Sequence, residues 1–352
     1  MPSKVNTVLP RNLEGKELSL FVKRKYYTLP KLKAKFRKNL FITHYGIAMK
    51  GLFPVRRTLP NTLGFFTKPN AGFFFKFWRK GIETFLVAKY GKSLKCITLS
   101  TEKTYLFAHS PWFGYFSWVT ESLPRIYSLI ERHEELTLIL PESYSKKPFV
   151  TESLQLFPNL KYEIIPDGVH MKVPNVVIPE LKPYTYVFDA SLMCSYRKYV
   201  SDFTQSLELK IDTPSRIFIS RANAKNRKLV NQTAVDKVLA EFEIQELSME
   251  DFSFFEQVHL MNNCRLLTGV HGAGFANVCF LPEGSDMIEF VKIHEKTKQD
   301  RPSYWRLCSA LGIGYSVQYC EPETKGNYDL WISVNLIADI NKFKQNLELI
   351  LS

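Results

Sequence analysis

The stretch RLLTGVHGAGFANVCF, residues 265–280, has the most suggestive chemical spacing in the chain. An apolar run that reads as a buried strand leads into Gly269, Val270 and His271. Gly272, Ala273 and Gly274 follow, and then a segment that reads as a helix. Glycine lets backbone approach a ligand closely, and the unpaired N–H groups at a helix start attract anions. A histidine beside such a turn can donate to a phosphate oxygen. The same residues would also make an ordinary tight turn around a packed histidine. A second apolar run, RIFIS, ends at Ser220 and Arg221 and is followed by Lys225, Arg227 and Lys228. Open α/β sheets place their ligands at the carboxyl ends of strands, and the guanidinium fork suits phosphate. A solvated basic loop is the plainer reading. Glu289, in DMIEFV, could accept from both hydroxyls of a ribose or simply end a strand. Glu121, in PWFGYFSWVTESLPRI, could act as a general base or only oppose the dipole of its helix.

These side chains need a frame. KCITLS, LTLILP, YEIIP and NVVIPE read as short buried strands, and FSWVTESLPRIYSLIERHEEL as a helix entered from an aromatic loop. Residues 188–206 read as helical. Beyond residue 210, strands and helices alternate: RIFISR, TAVDKVLAEF, IQEL, MEDFSFFEQVHLMNNC, RLLTGV, AGFANVCFL, DMIEFV, SYWRLCSALG and YSVQY. LIADINKFKQNLELIL reads as a closing helix. Such alternation predicts parallel sheets covered by helices on both faces, with the cleanest Rossmann-like half after residue 210.

Charge is distributed unevenly. The first 100 residues hold 21 of the 47 Lys and Arg but only 3 of the 34 acids, and the rest of the chain is mildly acidic. That asymmetry implies an anionic partner for the first third: a membrane surface, a nucleic acid or a polyanionic glycan. YYTLPKLKAKFRKNLFI is read as a short amphipathic helix or a solvated connector. In residues 63–92, Phe65, Phe66, Phe73, Phe74, Phe75, Phe77 and Trp78 are interleaved with Lys68, Lys76, Arg79 and Lys80. They suit a β-hairpin with a phenylalanine core, or an interfacial patch with cations on lipid headgroups. The six cysteines are widely spaced without a C-x-x-C pair and read as reduced core residues. No metal-ligand spacing occurs. Neither a signal peptide nor a spanning apolar run is evident, so any membrane contact is expected to be peripheral.

Taken in order, three blocks resemble glycosyltransferase family 61. YFSWVTESLPRI is similar to a Y-[hydrophobic]-H-W-x-x-[DE]-x-L-P-R block, FISRANAKNRKLVNQ to an I-S-R…R…N-E block, and HGAGFANVCFLPEGSDMIEF to an H-G-A-G-[LF]-x-N…F-[LM]-P-x-G-[ST]-x-[IV]-I-E block. The last is the most specific, and the resemblance extends over about residues 105–350. It implies an α/β fold of the GT-B type: two Rossmann-like domains, an interdomain cleft and a C-terminal helix closing the chain. It also implies an inverting transferase that uses nucleotide-diphosphate sugars with no cofactor and no metal. The chain indeed lacks an Asp-x-Asp motif. Carried onto this sequence, the motifs assign Arg221, Arg227, His271, Gly272, Ala273, Gly274, Asn277 and Glu289 to the donor, with Glu289 on the ribose. They assign Glu121 to the base, and Ser117, Trp118 and Arg125 to the acceptor side. Two departures stand out: Ser117 occupies a position where many relatives carry His, and Gln232 replaces a Glu after Asn231.

The expected division is residues 1–185 as an acceptor-side domain, its first 95 or so basic, aromatic-rich and membrane-facing, and residues 186–352 as the nucleotide-sugar domain. The expected function is sugar transfer from a nucleotide-diphosphate sugar to a glycan or lipid-linked acceptor in surface polysaccharide synthesis. The chain is expected to be cytoplasmic, peripheral on an anionic inner membrane face, with no nucleic acid as partner. The alternatives are a non-catalytic relative and a protein that binds nucleic acid or anionic glycan through the basic third. A dinucleotide oxidoreductase is disfavoured, because no G-x-G-x-x-G follows an early strand.

Overall fold

The computed structural model describes residues 3–29, 33–43, 46–51, 53–55, 58, 95–109, 113–179, 186–292, 303–324 and 334–352. The Phe-rich stretch of residues 63–92 lies outside the described residues. The chain divides into two compact units, one of Pro30–Thr185 and one of Pro2–Leu29 with Tyr186–Ser352. Pro2–Leu29, within the stretch assigned above to the N-terminal domain, therefore belongs with the C-terminal half. Two short strands there, β1 (Ser3–Asn6) and β2 (Tyr26–Leu29), pair antiparallel around the helix Gly15–Val22.

The first unit is built on a mixed sheet. Its strands are β3 (Lys35–Ile42), β4 (Ala48–Lys50), β5 (Phe53–Pro54), β6 (Cys96–Thr98), β7 (Thr104–Leu106), β8 (Leu136–Pro141), β9 (Lys161–Ile165) and β10 (His170–Ile178). They run in the order β5-β4-β3-β10-β7-β8-β9, with β6 also on β10. β10, β7, β8 and β9 are parallel, whereas β3 meets β10 antiparallel, Leu40 opposite Val173. Ile42, Tyr105, Ile139 and Val176 make its solvent-free core. Tyr26–Leu29 and Lys35–Ile42 are thus strands, where the sequence suggested a short amphipathic helix or a connector. In β3 only Leu40, Phe41 and Ile42 are buried; Lys35 and Lys38 are exposed and Arg37 is half-buried. The long helix read over residues 116–136 is broken into an α turn at Tyr115–Ser117, a π-helical stretch at Trp118–Ser122, α-helix at Leu123–Tyr127 and a 3-10 helix at Ile130–Glu135. Pro124 lacks the N–H that the Thr120 carbonyl would accept in a regular α-helix, and the wider π turn shifts the register there.

The second unit carries β11 (Arg216–Ile219), β12 (Gln245–Leu247), β13 (Leu266–Val270), β14 (Asp286–Lys292), β15 (Gly314–Pro322) and β16 (Leu336–Ala338). Their order is β12-β11-β13-β14-β15-β16, parallel except for β16. From β11 the chain passes to β12 through the helix Gln232–Glu241. It then crosses back to β13 through the helix Phe254–Asn263. The order therefore reverses about β11, which opens a crevice at the carboxyl ends of β11 and β13.

Local chemistry fixes the ends of these elements. Ser253 and Glu256 form a reciprocal capping box on Phe254–Asn263. Asp339 accepts from the Lys342 amide and starts the last helix, Ile340–Leu351, so Leu336–Ala338 is an edge strand and not part of the closing helix. Phe343 and Leu347, one turn apart, bury that helix on the sheet, Phe343 edge-on to Phe290 at 4.8 Å. The N-terminal segment is stitched to the same sheet. The Asn12 side chain accepts from Val317 N at 3.0 Å and donates to Val317 O at 2.7 Å, like one residue of a neighbouring strand. Arg11 pairs with Asp286 at 2.6 Å. All six cysteines are free, four of them buried. No helix among the described residues is long and apolar enough to cross a membrane.

Candidate functional site

In the second unit the crevice between β11 and β13 gathers most of the residues singled out for anion binding. β11 delivers Ser220 and Arg221, and β13 delivers His271 and Gly272, because Ile219 and Gly269 lie side by side in the two strands. That approach requires glycine at 269: its φ is +142°, and a Cβ there would come within 2.9 Å of the Ile219 carbonyl oxygen. At Gly272 the close neighbour is a side chain instead. The Arg221 guanidinium lies on it so closely that a Cβ would sit 2.4 Å from Nη1.

The turn has a defined polarity. The Tyr304 hydroxyl donates to Gly272 O at 2.6 Å, and Arg227 Nη1 donates to His271 O at 2.7 Å. Both carbonyls are thus tied back. The helix read here from sequence is a 3-10 helix, Ala273–Phe280, and the first amides of such a helix have no partner within it. Ala273 is exposed and Gly274 half-exposed, so the turn is open to a ligand. Arg221 Nη2 donates to Asn226 O at 2.9 Å, while Nε, itself buried, has no hydrogen-bond partner among the described residues. Burial lowers this guanidinium from its usual value, opposed by the nearby Glu250 carboxylate; arginine keeps its charge regardless. Beside it is a hollow of about 160 Å³ lined by Phe218, Arg221, Ala222, Lys228, Leu229, Gln232 and Val270. Two cations and amide hydrogens around a crevice with an apolar floor can hold a diphosphate.

Two donor-side expectations meet a different geometry. Glu289 lies within β14, 1 % exposed, with one carboxylate oxygen on His271 Nδ1 and the other accepting from the Tyr315 hydroxyl at 2.6 Å. Both oxygens are occupied inside the sheet, so a ribose has no access to them. Asn277 is fully buried and donates to Gln257 at 2.8 Å, which ties the 3-10 helix to Phe254–Asn263. It is a packing residue, not a donor contact. Tyr304 and Tyr315 were missed from sequence, since a lone tyrosine in a buried strand or helix carries no signal of its hydroxyl's partner.

In the first unit, Glu121 sits in the π-helical stretch at 7 % exposure, one turn before Arg125. Arg125 is buried and donates from Nη1 to Ala108 O at 2.9 Å, while Nε and Nη2 have no hydrogen-bond partner among the described residues. Burial pulls its guanidinium down to about 10, opposed by Glu121 and Tyr144. His109, just past β7, is also buried. Its imidazole is pushed down to about 3 by desolvation, with Arg125 acting in the same direction. Ser117 and Trp118, expected on the acceptor side, face inward: the Trp118 indole donates to Ser153 at 2.8 Å and packs on Tyr144 at 4.9 Å. The carboxyl end of β7 thus holds a polar cluster of Glu121, Arg125 and His109. Sequence reasoning did not single out His109.

Fold and site together define an α/β protein with an anion-competent crevice at a strand-order reversal. The profile of the family described as Glycosyltransferase 61 matches residues 115–288, and over that stretch the chain belongs to the glycosyltransferase 61 family. It is 26% identical over 109 residues to the EGF domain-specific O-linked N-acetylglucosamine transferase of Pan troglodytes, covering 30% of this chain and 20% of that protein. It is 35% identical over 71 residues to the protein O-linked-mannose beta-1,4-N-acetylglucosaminyltransferase 2 of Xenopus laevis, covering 19% of this chain and 12% of the relative. The chain thus matches a fifth or less of the length of these curated relatives.

Proposed function

We propose that the protein is a glycosyltransferase that binds a nucleotide-diphosphate sugar in the crevice between β11 and β13 and transfers the sugar with inversion. The observation that carries this reading is the Arg221 guanidinium lying on Gly272 beside the open turn of Ala273 and Gly274, with His271 next to it in the chain, within the stretch matched by the family profile. The two units would be the two Rossmann-like domains of a GT-B enzyme. The donor diphosphate would lie against the turn, its charge offset by Arg221, with Lys228 lining the adjoining hollow. Fixed donors of this kind stabilise negative charge developing on a leaving group without a metal. Glu121 is the proposed base. It would take the proton of an acceptor hydroxyl as that oxygen bonds to the anomeric carbon, and the electron pair of the broken bond would leave with the diphosphate.

The relatives' names describe transfer of N-acetylglucosamine, so nucleotide-activated N-acetylglucosamine is the first donor to test. The acceptor would be a glycan or lipid-linked hydroxyl, with an O-linked glycan on protein as the second class. The basic first hundred residues would hold the enzyme on an anionic membrane surface or acceptor. The test is transfer from a panel of radiolabelled nucleotide sugars to glycan, lipid-linked and protein acceptors, with and without a chelator. Transfer that survives chelation is the expected result. No hydrolysis or transfer from any donor would leave a non-catalytic binding protein as the better account.

A further inference from the structure

Behind the proposed phosphate turn lies a hydrogen-bonded chain that runs into the sheet. The Tyr315 hydroxyl, in β15, donates to Glu289 Oε2 at 2.6 Å, and Glu289 Oε1, in β14, meets His271 Nδ1. Tyr315 is 4 % and Glu289 1 % exposed, whereas the His271 side chain is 18 % exposed. The chain therefore begins in the core and ends at a partly exposed imidazole beside the turn. Each member is held by backbone as well. His271 N donates to Phe290 O at 3.0 Å, and Tyr315 O accepts from Arg11 N at 3.0 Å. The Tyr304 ring stands edge-on to the imidazole, with ring centres 5.4 Å apart.

A carboxylate can only accept, so Nδ1 must carry a hydrogen, and Nε2 occupies the opposite edge of the ring. A phosphoryl oxygen also only accepts. An imidazole with an acceptor on each nitrogen must hold two protons and a positive charge. We propose that Tyr315 and Glu289 are positioning residues that make His271 a fixed imidazolium when a diphosphate is bound, with carboxylate on Nδ1 and a phosphoryl oxygen on Nε2. Tyr315 acts by occupying the second oxygen of Glu289, which prevents the carboxylate from turning away from the ring. The inference rests on the diphosphate site proposed above and assigns the roles behind it.

The test uses the full chain labelled with 15N-histidine, titrated with UDP and separately with inorganic diphosphate. Nitrogen shifts report the protonation of each ring atom, and calorimetry reports affinity. In the wild type, His271 is expected to show Nδ1 protonated before addition and both nitrogens protonated after it. Glu289→Gln should lose the doubly protonated signal and bind either probe about tenfold more weakly, the scale of a hydrogen bond to a charged group. Tyr315→Phe removes only a hydroxyl. It should fold as the wild type does, keep the Nδ1-protonated tautomer and bind severalfold more weakly. Wild-type binding with unchanged His271 nitrogens, or equal affinity in Tyr315→Phe, would overturn the positioning chain while leaving the diphosphate site standing. Failure of both probes to bind the wild type would overturn both.

Discussion

At the scale of single residues, those that should touch a ligand are distinct from those that hold them in place. Arg221→Ala removes a charged donor fork and should weaken nucleotide-sugar binding by about 1.5–3 kcal/mol, measured by calorimetry, with little loss of stability. Gly272→Ala should have a similar binding defect without removing any polar group, because the new methyl would displace the guanidinium. Glu121→Gln should leave donor affinity intact and lower turnover by about 10²–10⁴-fold; full turnover in that variant would end the base assignment. His109 belongs to stability. Its folded value near 3 lies below the ordinary 6.5, so the unfolded chain binds the extra proton first. Stability from this group is present above about pH 6.5 and is lost as pH falls toward 3, at up to about 1.4 kcal/mol per pH unit. Denaturant unfolding of His109→Phe across that range should be less acid-sensitive than that of the wild type.

At the scale of elements, the parallel half was readable because each buried strand is a short apolar run closed by a turn residue. LTLILP and DMIEFV, for instance, fall on β8 and β14. The turn at His271–Gly274 was readable for the same reason: glycines at a strand end mark close backbone approach. What sequence hid was partnership and pitch. The periodicity of FSWVTESLPRI does not show that Pro124 turns one stretch into a π-helix. Nor does it show that Trp118 faces inward, or that Glu289 spends both oxygens within the sheet. β3 was obscured by Lys35 and Lys38, since lysines sit on exposed strand positions as readily as on a helix face. Element-level strain is testable at Gly269, where a side chain meets both a positive φ and the β11 backbone. Gly269→Ala should cost about 1–3 kcal/mol in denaturant unfolding and loosen the register of β11 against β13.

At the scale of the whole molecule, the second unit is not a contiguous piece of chain. Residues 3–29 return to it, and Asn12 extends the hydrogen bonding of β15, the strand that also carries Tyr315. Asn12→Ala should therefore destabilise that unit by about 1–3 kcal/mol, as expected when buried backbone groups lose their partners, with hydrogen exchange at Val317 rising first. The central claim is that the crevice between β11 and β13 holds the diphosphate of a sugar nucleotide. Calorimetric titration of wild type and Arg221→Ala with a panel of nucleotide sugars tests it most directly. The account predicts saturable one-to-one binding of at least one donor to the wild type, weakened at least tenfold in the variant. Equal affinity in the two proteins, or no binding across the panel, would contradict it.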